Sequence, residues 1–146
     1  MSLENLVRIG QLNAHVSNAQ EVGRMLAAAR RNIGDSKATT ISDETRYDAA
    51  YKAIMQCAMI ALRAKGFRTL TSRPGHHQTA LQTLSLTIAL AGERMIVLDA
   101  LRKQRNLADY EGEPVTAQTV VDCLAQARML LADLTAWLAK NRPDLI

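Results

Sequence analysis

Arg102 and Arg105 stand where helical spacing calls for apolar side chains. Upstream, Leu81, Leu84, Ile88, Ala91, Met95 and Leu98 recur at three- and four-residue intervals, the pattern of one buried helix face. The same face then reaches Arg102, Arg105 and Asp109. A guanidinium is costly to bury unless it is paired or lies beside an opening. The spacing therefore predicts that this pair lines a polar groove, a subunit interface, or both. The competing reading is that the arginines pair with Asp99, Asp109, Glu111 or Asp122 and pin a helix end, where the dipole also favours cations. Spacing alone leaves both open.

The histidines are His15, His76 and His77. His76 and His77 follow Pro74-Gly75 at a predicted helix start, and neighbouring helical side chains diverge by about 100°. With no Cys or His three or four residues away, a metal site is not expected, and no cofactor is implied. Either one ring caps or packs while the other is solvated, or one of them reaches the groove near Arg105 from the neighbouring helix. Tyr47 and Tyr51 sit one turn apart and read as core residues with hydroxyls at an edge, whereas Tyr110 is a candidate for the groove. Arg24, Arg30 and Arg31 crowd one helix, and Arg63, Lys65, Arg68 and Arg73 flank the loop at 66–75. Such clusters are usually solvated surface, although the second could attract a phosphate-bearing partner. Phe67 is the only nearby aromatic, so sequence-specific single-strand recognition is not expected. No glycine-rich phosphate loop, Gly-x-Ser-x-Gly or His-Glu-x-x-His motif is present.

The elements that would position these groups are helical. The chain has 146 residues, 48% hydrophobic but only 3% aromatic, so Ala, Leu, Ile, Val and Met must fill the core. That vocabulary suits helix packing better than a sheet. Residues 3–15 read as a short helix, and Ser17 with Gln20 reads as a capping box for a helix over 18–33. Ser42 caps a helix that ends near Lys65-Gly66. One long helix is predicted over 76–107, and Thr116 caps a last one over 117–140. The expectation is a single domain over 1–146, an all-α, up-and-down bundle of four to five helices. Cys57 and Cys123 fall in apolar helical stripes and read as buried free thiols. A net charge of +4 permits nucleic-acid contact without demanding it. No stretch approaches the length of a membrane span and no leader pattern opens the chain, so a cytoplasmic, soluble protein is expected.

The segment Arg102-Lys103-Gln104-Arg105-Asn106-Leu107-Ala108-Asp109-Tyr110 resembles the signature of HEPN domains, which lies at the end of a long helix just before the last one. The surroundings follow in the same order: a Tyr-rich helix from Tyr47 to Ile54, its end at Ala61–Arg68, Gly75-His76-His77 opening the next helix, and a final helix reaching Trp137-Leu138. The likeness covers about residues 15–140. It implies a HEPN-like bundle that commonly dimerises, and in many cases a small nucleotidyltransferase-like partner in a toxin–antitoxin module. RNase members of that family place a His four to six residues after the Arg, and two protomers join the motifs in a cleft. Here no His follows Arg105, and Asp109 and Tyr110 stand in its place. A carboxylate is a poor acid at neutral pH and repels phosphate, and a phenol is a weak proton shuttle. The resemblance thus implies a non-RNase branch, and with the apolar stripe that turns cationic it points to a binding groove at Arg102, Arg105, Asn106, Asp109 and Tyr110, which His76 or His77 would reach from the neighbouring helix, with a nucleotide, an RNA phosphate or a nucleotidyltransferase-like partner as candidate occupant. The alternative is a ribonuclease toxin using Arg105 with Asp109, Tyr110 or an upstream histidine as a substitute acid or base.

Overall fold

In chain order, the computed structural model of residues 1–146 comprises α1 (Leu3–Arg8), β1 (Leu12–Ala14), α2 (Ala19–Ser36), α3 (Asp43–Ala64), β2 (Phe67–Thr69), α4 (His76–Gln82), α5 (Leu84–Thr87), α6 (Gly92–Glu111) and α7 (Ala117–Asn141), closed by a 3-10 turn over Pro143–Leu145. It is an all-α bundle with one short two-stranded ribbon.

The helix at the centre is α3. Ser42 starts it by accepting a hydrogen bond from the Thr45 N–H at 3.1 Å, and Asp43 and Glu44 place negative charge in the first turn. From Ala53 onward it is buried on nearly every side, with Ala53, Ala58, Ala61 and Ala64 interleaved among Ile54, Ile60 and Leu62. Small side chains on a central helix let several neighbours approach together. Helices α2 and α7 pack along it, and α4, α5 and α6 lean on it elsewhere. Of the stripes that the periodicity predicts, Met25 and Leu131 are only half-buried, and Leu130 is enclosed beside the latter; the rest are buried, Val22, Leu26, Ala29 and Ile33 in α2 and Val120, Leu124, Ala127, Leu134 and Leu138 in α7. Together they join one core cluster of 34 residues. Thr116 caps α7 as expected, accepting from the Thr119 N–H at 3.1 Å.

Several local expectations are overturned. The helix predicted over 3–15 stops at Arg8, because Gly10 takes a left-handed turn with φ of 78°. The chain then runs extended, and β1 pairs antiparallel with β2 in the register Leu12↔Thr69, Asn13↔Arg68 and Ala14↔Phe67. Leu12 is thus buried from a strand, not from a helix. The α2 cap is Asn18, which accepts from the Glu21 N–H at 2.9 Å; Ser17 instead donates to the Arg63 carbonyl at 3.2 Å. Glu21 then pairs with both His15 and Arg63, bracing the ribbon against α2 and α3.

The long helix predicted over 76–107 is three pieces. Thr83 and Thr87 turn their hydroxyls back onto the Ala80 and Thr83 carbonyls, a bond that competes with regular helix geometry. Ala89 then adopts φ of 57°, and the Leu90 N–H reaches back to the Leu84 carbonyl at 3.1 Å, so the helix ends at a left-handed residue. An alanine in the left-handed region hides this break from a reading that looks for glycine. After the break, α6 runs on to Glu111 and ends at Gly112, with φ of 70°, so Asp109 and Tyr110 are helical. Cys57 and Cys123 are buried free thiols, and burial pushes each up to about 12. No helix is long and apolar enough to cross a membrane.

Candidate functional site

The face of α6 that packs inward carries Leu98, fully enclosed, and Leu101, buried at its edge, followed by Arg102 and Arg105 one turn on. Of the predicted stripe, Leu81, Leu84 and Leu98 are buried, Ile88 and Met95 half-buried and Ala91 exposed, so the apolar stretch that leads into the arginines within α6 is short. Tyr47 fixes its position. Its hydroxyl, buried within α3, donates to the Leu101 carbonyl at 2.6 Å. Burial pushes the Tyr47 phenol up, so it stays an uncharged donor.

Beyond that tether, α4 and α6 diverge around an open groove of about 250 Å³. Gly75, His76, His77 and Gln78 form one wall, and Arg102, Arg105, Asn106 and Tyr110 form the other. Every residue the sequence nominated lines it except Asp109, which stands behind Arg105 instead. Gln78 was not foreseen, and nothing in its sequence context marks it. Tyr110 is 76% exposed and forms the outer lip, with no hydrogen bond to Arg105.

Both arginines are partly paired. Arg102 donates from Nε to Asp99 at 2.8 Å, and Lys103 approaches the same carboxylate at 3.5 Å. The Arg102 hydrogen bond is the main reason the Asp99 carboxyl lies below its ordinary range. Asp109 Oδ2 lies 2.8 Å from Arg105 Nε, yet the N–H is not aimed at it and remains without a hydrogen bond. Asp48 is more distant, at 3.8 Å. These pairings all run through Nε, and the forked Nη ends are not consumed by them. The helix-pinning and groove readings are thus not exclusive: the carboxylates hold the stems while the tips stay available.

Behind the groove lies a buried tyrosine of α3. Tyr51 lies beneath Arg105, whose guanidinium carbon is 5.6 Å from the ring centroid. Its hydroxyl sits 3.2 Å from His77 Nδ1, with the rings 5.8 Å apart. Burial outweighs the nearby Arg105 and Arg102 and pushes the Tyr51 phenol up to about 12. A neutral imidazole with its proton on Nε2 accepts from the phenol at Nδ1, and the other tautomer donates to it. Burial first, then His76, Arg105 and Arg102, hold His77 below the ordinary histidine range. Tyr47 and Tyr51 were expected in the core with their hydroxyls at an edge, and both rings are buried, with the Tyr47 hydroxyl on the Leu101 carbonyl and the Tyr51 hydroxyl toward His77. His76 and His77 meet edge to face at 4.5 Å, and His76 lies 3.3 Å from the Arg73 carbonyl. No cluster of three or more His, Cys, Asp or Glu side chains is arranged to hold a metal ion.

The second cationic cluster is dispersed. Arg63 is engaged with Glu21, Lys65 lies 5.4 Å from the Trp137 ring centroid, and the Arg73 guanidinium covers Gly10.

Against models of known protein families and against curated proteins, the chain has no match.

Proposed function

We propose that the chain is a HEPN-like binding or regulatory module whose groove takes the phosphate of a nucleotide or of RNA, or contacts a nucleotidyltransferase-like partner. One observation carries this reading: two guanidiniums with unconsumed Nη donors, with Asn106 beside them, face a histidine pair across a groove none of whose eight lining residues is acidic. Arginine forks match phosphate oxygens, and stems held by Asp99 and Asp109 lower the ordering cost of binding. Dimer formation through α6 is part of the proposal, supported by the exposed Ile96, Val97 and Leu107 on that helix. A toxin–antitoxin setting would follow from such a partner.

No ribonuclease activity is proposed, because Asp109 is occupied with Arg105 and lies outside the lining. One observation favours a second reading. His77, from α4, stands in the groove near Arg105, where an upstream histidine could supply the proton transfer that the motif lacks.

Titration with ATP and with a short single-stranded RNA tests the first reading. Saturable binding of at least one ligand, weakened about ten- to a hundredfold by Arg105→Ala, is expected for loss of a charged hydrogen bond. Wild-type affinity in Arg105→Ala removes the proposed role. RNA cleavage that disappears in both Arg105→Ala and His77→Ala would replace the first reading with the second.

A further inference from the structure

A second concavity lies between α2 and α7. Both helices pack along α3, and an open furrow of about 450 Å³ remains between them. Ile33, Leu131 and Thr135 form its floor, and Gly34 and Ala132 are its smallest wall residues. A Cβ added at Gly34 would meet no atom within 4 Å, so the space is unfilled. Arg30 and Lys37 from α2 and Arg128 from α7 form the rim. All three are exposed, and none forms an ion pair, whereas Arg46, Arg63, Arg94, Arg102, Arg105 and Arg142 each do. No acidic residue lines the furrow. Toward the other end of α2, Gly23, Leu26 and Leu145 line a hollow that shares Arg30 and Thr135 with it. From Gly23 to Lys37 the run is about 21 Å at 1.5 Å per residue, roughly four helical turns.

We infer that this furrow docks an acidic amphipathic helix of a partner protein. The partner's apolar face lies on Leu26, Ile33 and Leu131, and carboxylates on its flanks meet Arg30, Lys37 and Arg128. Arg30 and Lys37 are two turns apart, about 10 Å, so Glu or Asp residues two turns apart on the partner match them. Nucleic acid fits this surface less well. The furrow offers no aromatic side chain for a base to stack on, and Ile33, Leu131 and Ala132 between the rim cations suit an apolar helix face better than a phosphate chain. The furrow shares no residue with the groove at Arg102 and Arg105, so either can fail without the other.

Fluorescence anisotropy with a labelled synthetic peptide of about five helical turns, Leu on one face and Glu on both flanks, tests the inference. A twin with every Glu replaced by Gln and a labelled single-stranded RNA dodecamer are the comparators. The Glu peptide should bind saturably, at least about tenfold more tightly than its twin, and lose about tenfold in the Arg30→Glu/Arg128→Glu variant. Arg105→Ala should leave peptide binding unchanged. Both rim substitutions are exposed, and circular dichroism checks that the variant folds; should it not, amide shift mapping on the wild-type chain decides, with perturbations expected along α2 and α7. The inference is overturned by absence of peptide binding up to about 1 mM, by equal binding of the Gln twin, or by shifts that map elsewhere. It is equally overturned if RNA binding, and not peptide binding, depends on Arg30 and Arg128.

Discussion

Removing one oxygen atom from Tyr47 should loosen the helix that carries both groove arginines. The Tyr47 side chain is fully enclosed, and its hydroxyl makes a 2.6 Å hydrogen bond to the Leu101 carbonyl, the only side-chain hydrogen bond joining α3 to α6. In Tyr47→Phe the ring still fills the core, so the apolar contribution is retained. The missing bond is worth about 1 kcal/mol, and the Leu101 carbonyl keeps access to its helical partner, so the full cost of an orphaned group is avoided. A void the size of one oxygen adds a few tenths, giving about 1–1.5 kcal/mol and a melting temperature lower by about 3–6 °C for a chain of this size. Because the tether lies immediately before Arg102, the loss should be uneven. Amide exchange should accelerate from Leu101 to Arg105 more than in α2 or α7, and ligand affinity should fall modestly through poorer positioning. Denaturant unfolding monitored with exchange by NMR reads both quantities. A variant as stable as the wild type, with unchanged protection in α6, would refute the claim that this bond holds the helix in place.

Replacing Ala89 by Gly relieves a left-handed alanine, a gain of about 1–2 kcal/mol, against about 0.4–1 kcal/mol of added chain entropy, so stability should rise by about 0.5–1 kcal/mol in thermal unfolding. Leu98→Ala should cost about 3 kcal/mol, because that side chain is wholly enclosed where α6 meets the core; a loss under about 1 kcal/mol would mean α6 is not seated there. Burial raises the Glu21 carboxyl, but the hydrogen bonds from His15 and Arg63 outweigh it, and the net shift is below the ordinary value of 4.5. Its contribution to stability is therefore present above that value and lost as the pH falls through the lower folded value, so Glu21→Gln should flatten the acid limb of a plot of melting temperature against pH. His77 is likewise held low, so its neutral form is the stable one above the ordinary value of 6.5, and stability declines as acidification forces a proton onto it. His77→Gln should remove that dependence, as unfolding curves between about pH 7 and pH 5 would record.

The helical class and the three main stripes were legible because α2, α3 and α7 bury regular faces, and periodicity reports burial directly. Ser42 and Thr116 were legible as caps for the same reason that they work: a hydroxyl just before a helix accepts an orphan N–H. What escaped was non-local or unconventional. The ribbon joins residues more than fifty positions apart, and three-residue strands leave no alternation to detect. The break at Ala89 uses an alanine where glycine is the usual sign. At the site, Arg102 and Arg105 announced themselves by interrupting an apolar face, since a charge on a buried stripe demands an opening. The meeting of His77 with Tyr51, and of Tyr51 with Arg105, depends on how α3, α4 and α6 converge, which spacing within each helix does not encode.

The salt dependence of binding to a 5′-phosphorylated single-stranded RNA dodecamer tests the central claim most directly. Each phosphate that a variant no longer neutralises lowers the slope of log affinity against log salt by about 0.7 for a single strand. Arg102→Ala/Arg105→Ala should therefore bind at least about a hundredfold more weakly than the wild-type chain and show a slope smaller by about 1.4. An unchanged slope and an unchanged affinity in that variant would contradict a phosphate-binding role for the groove.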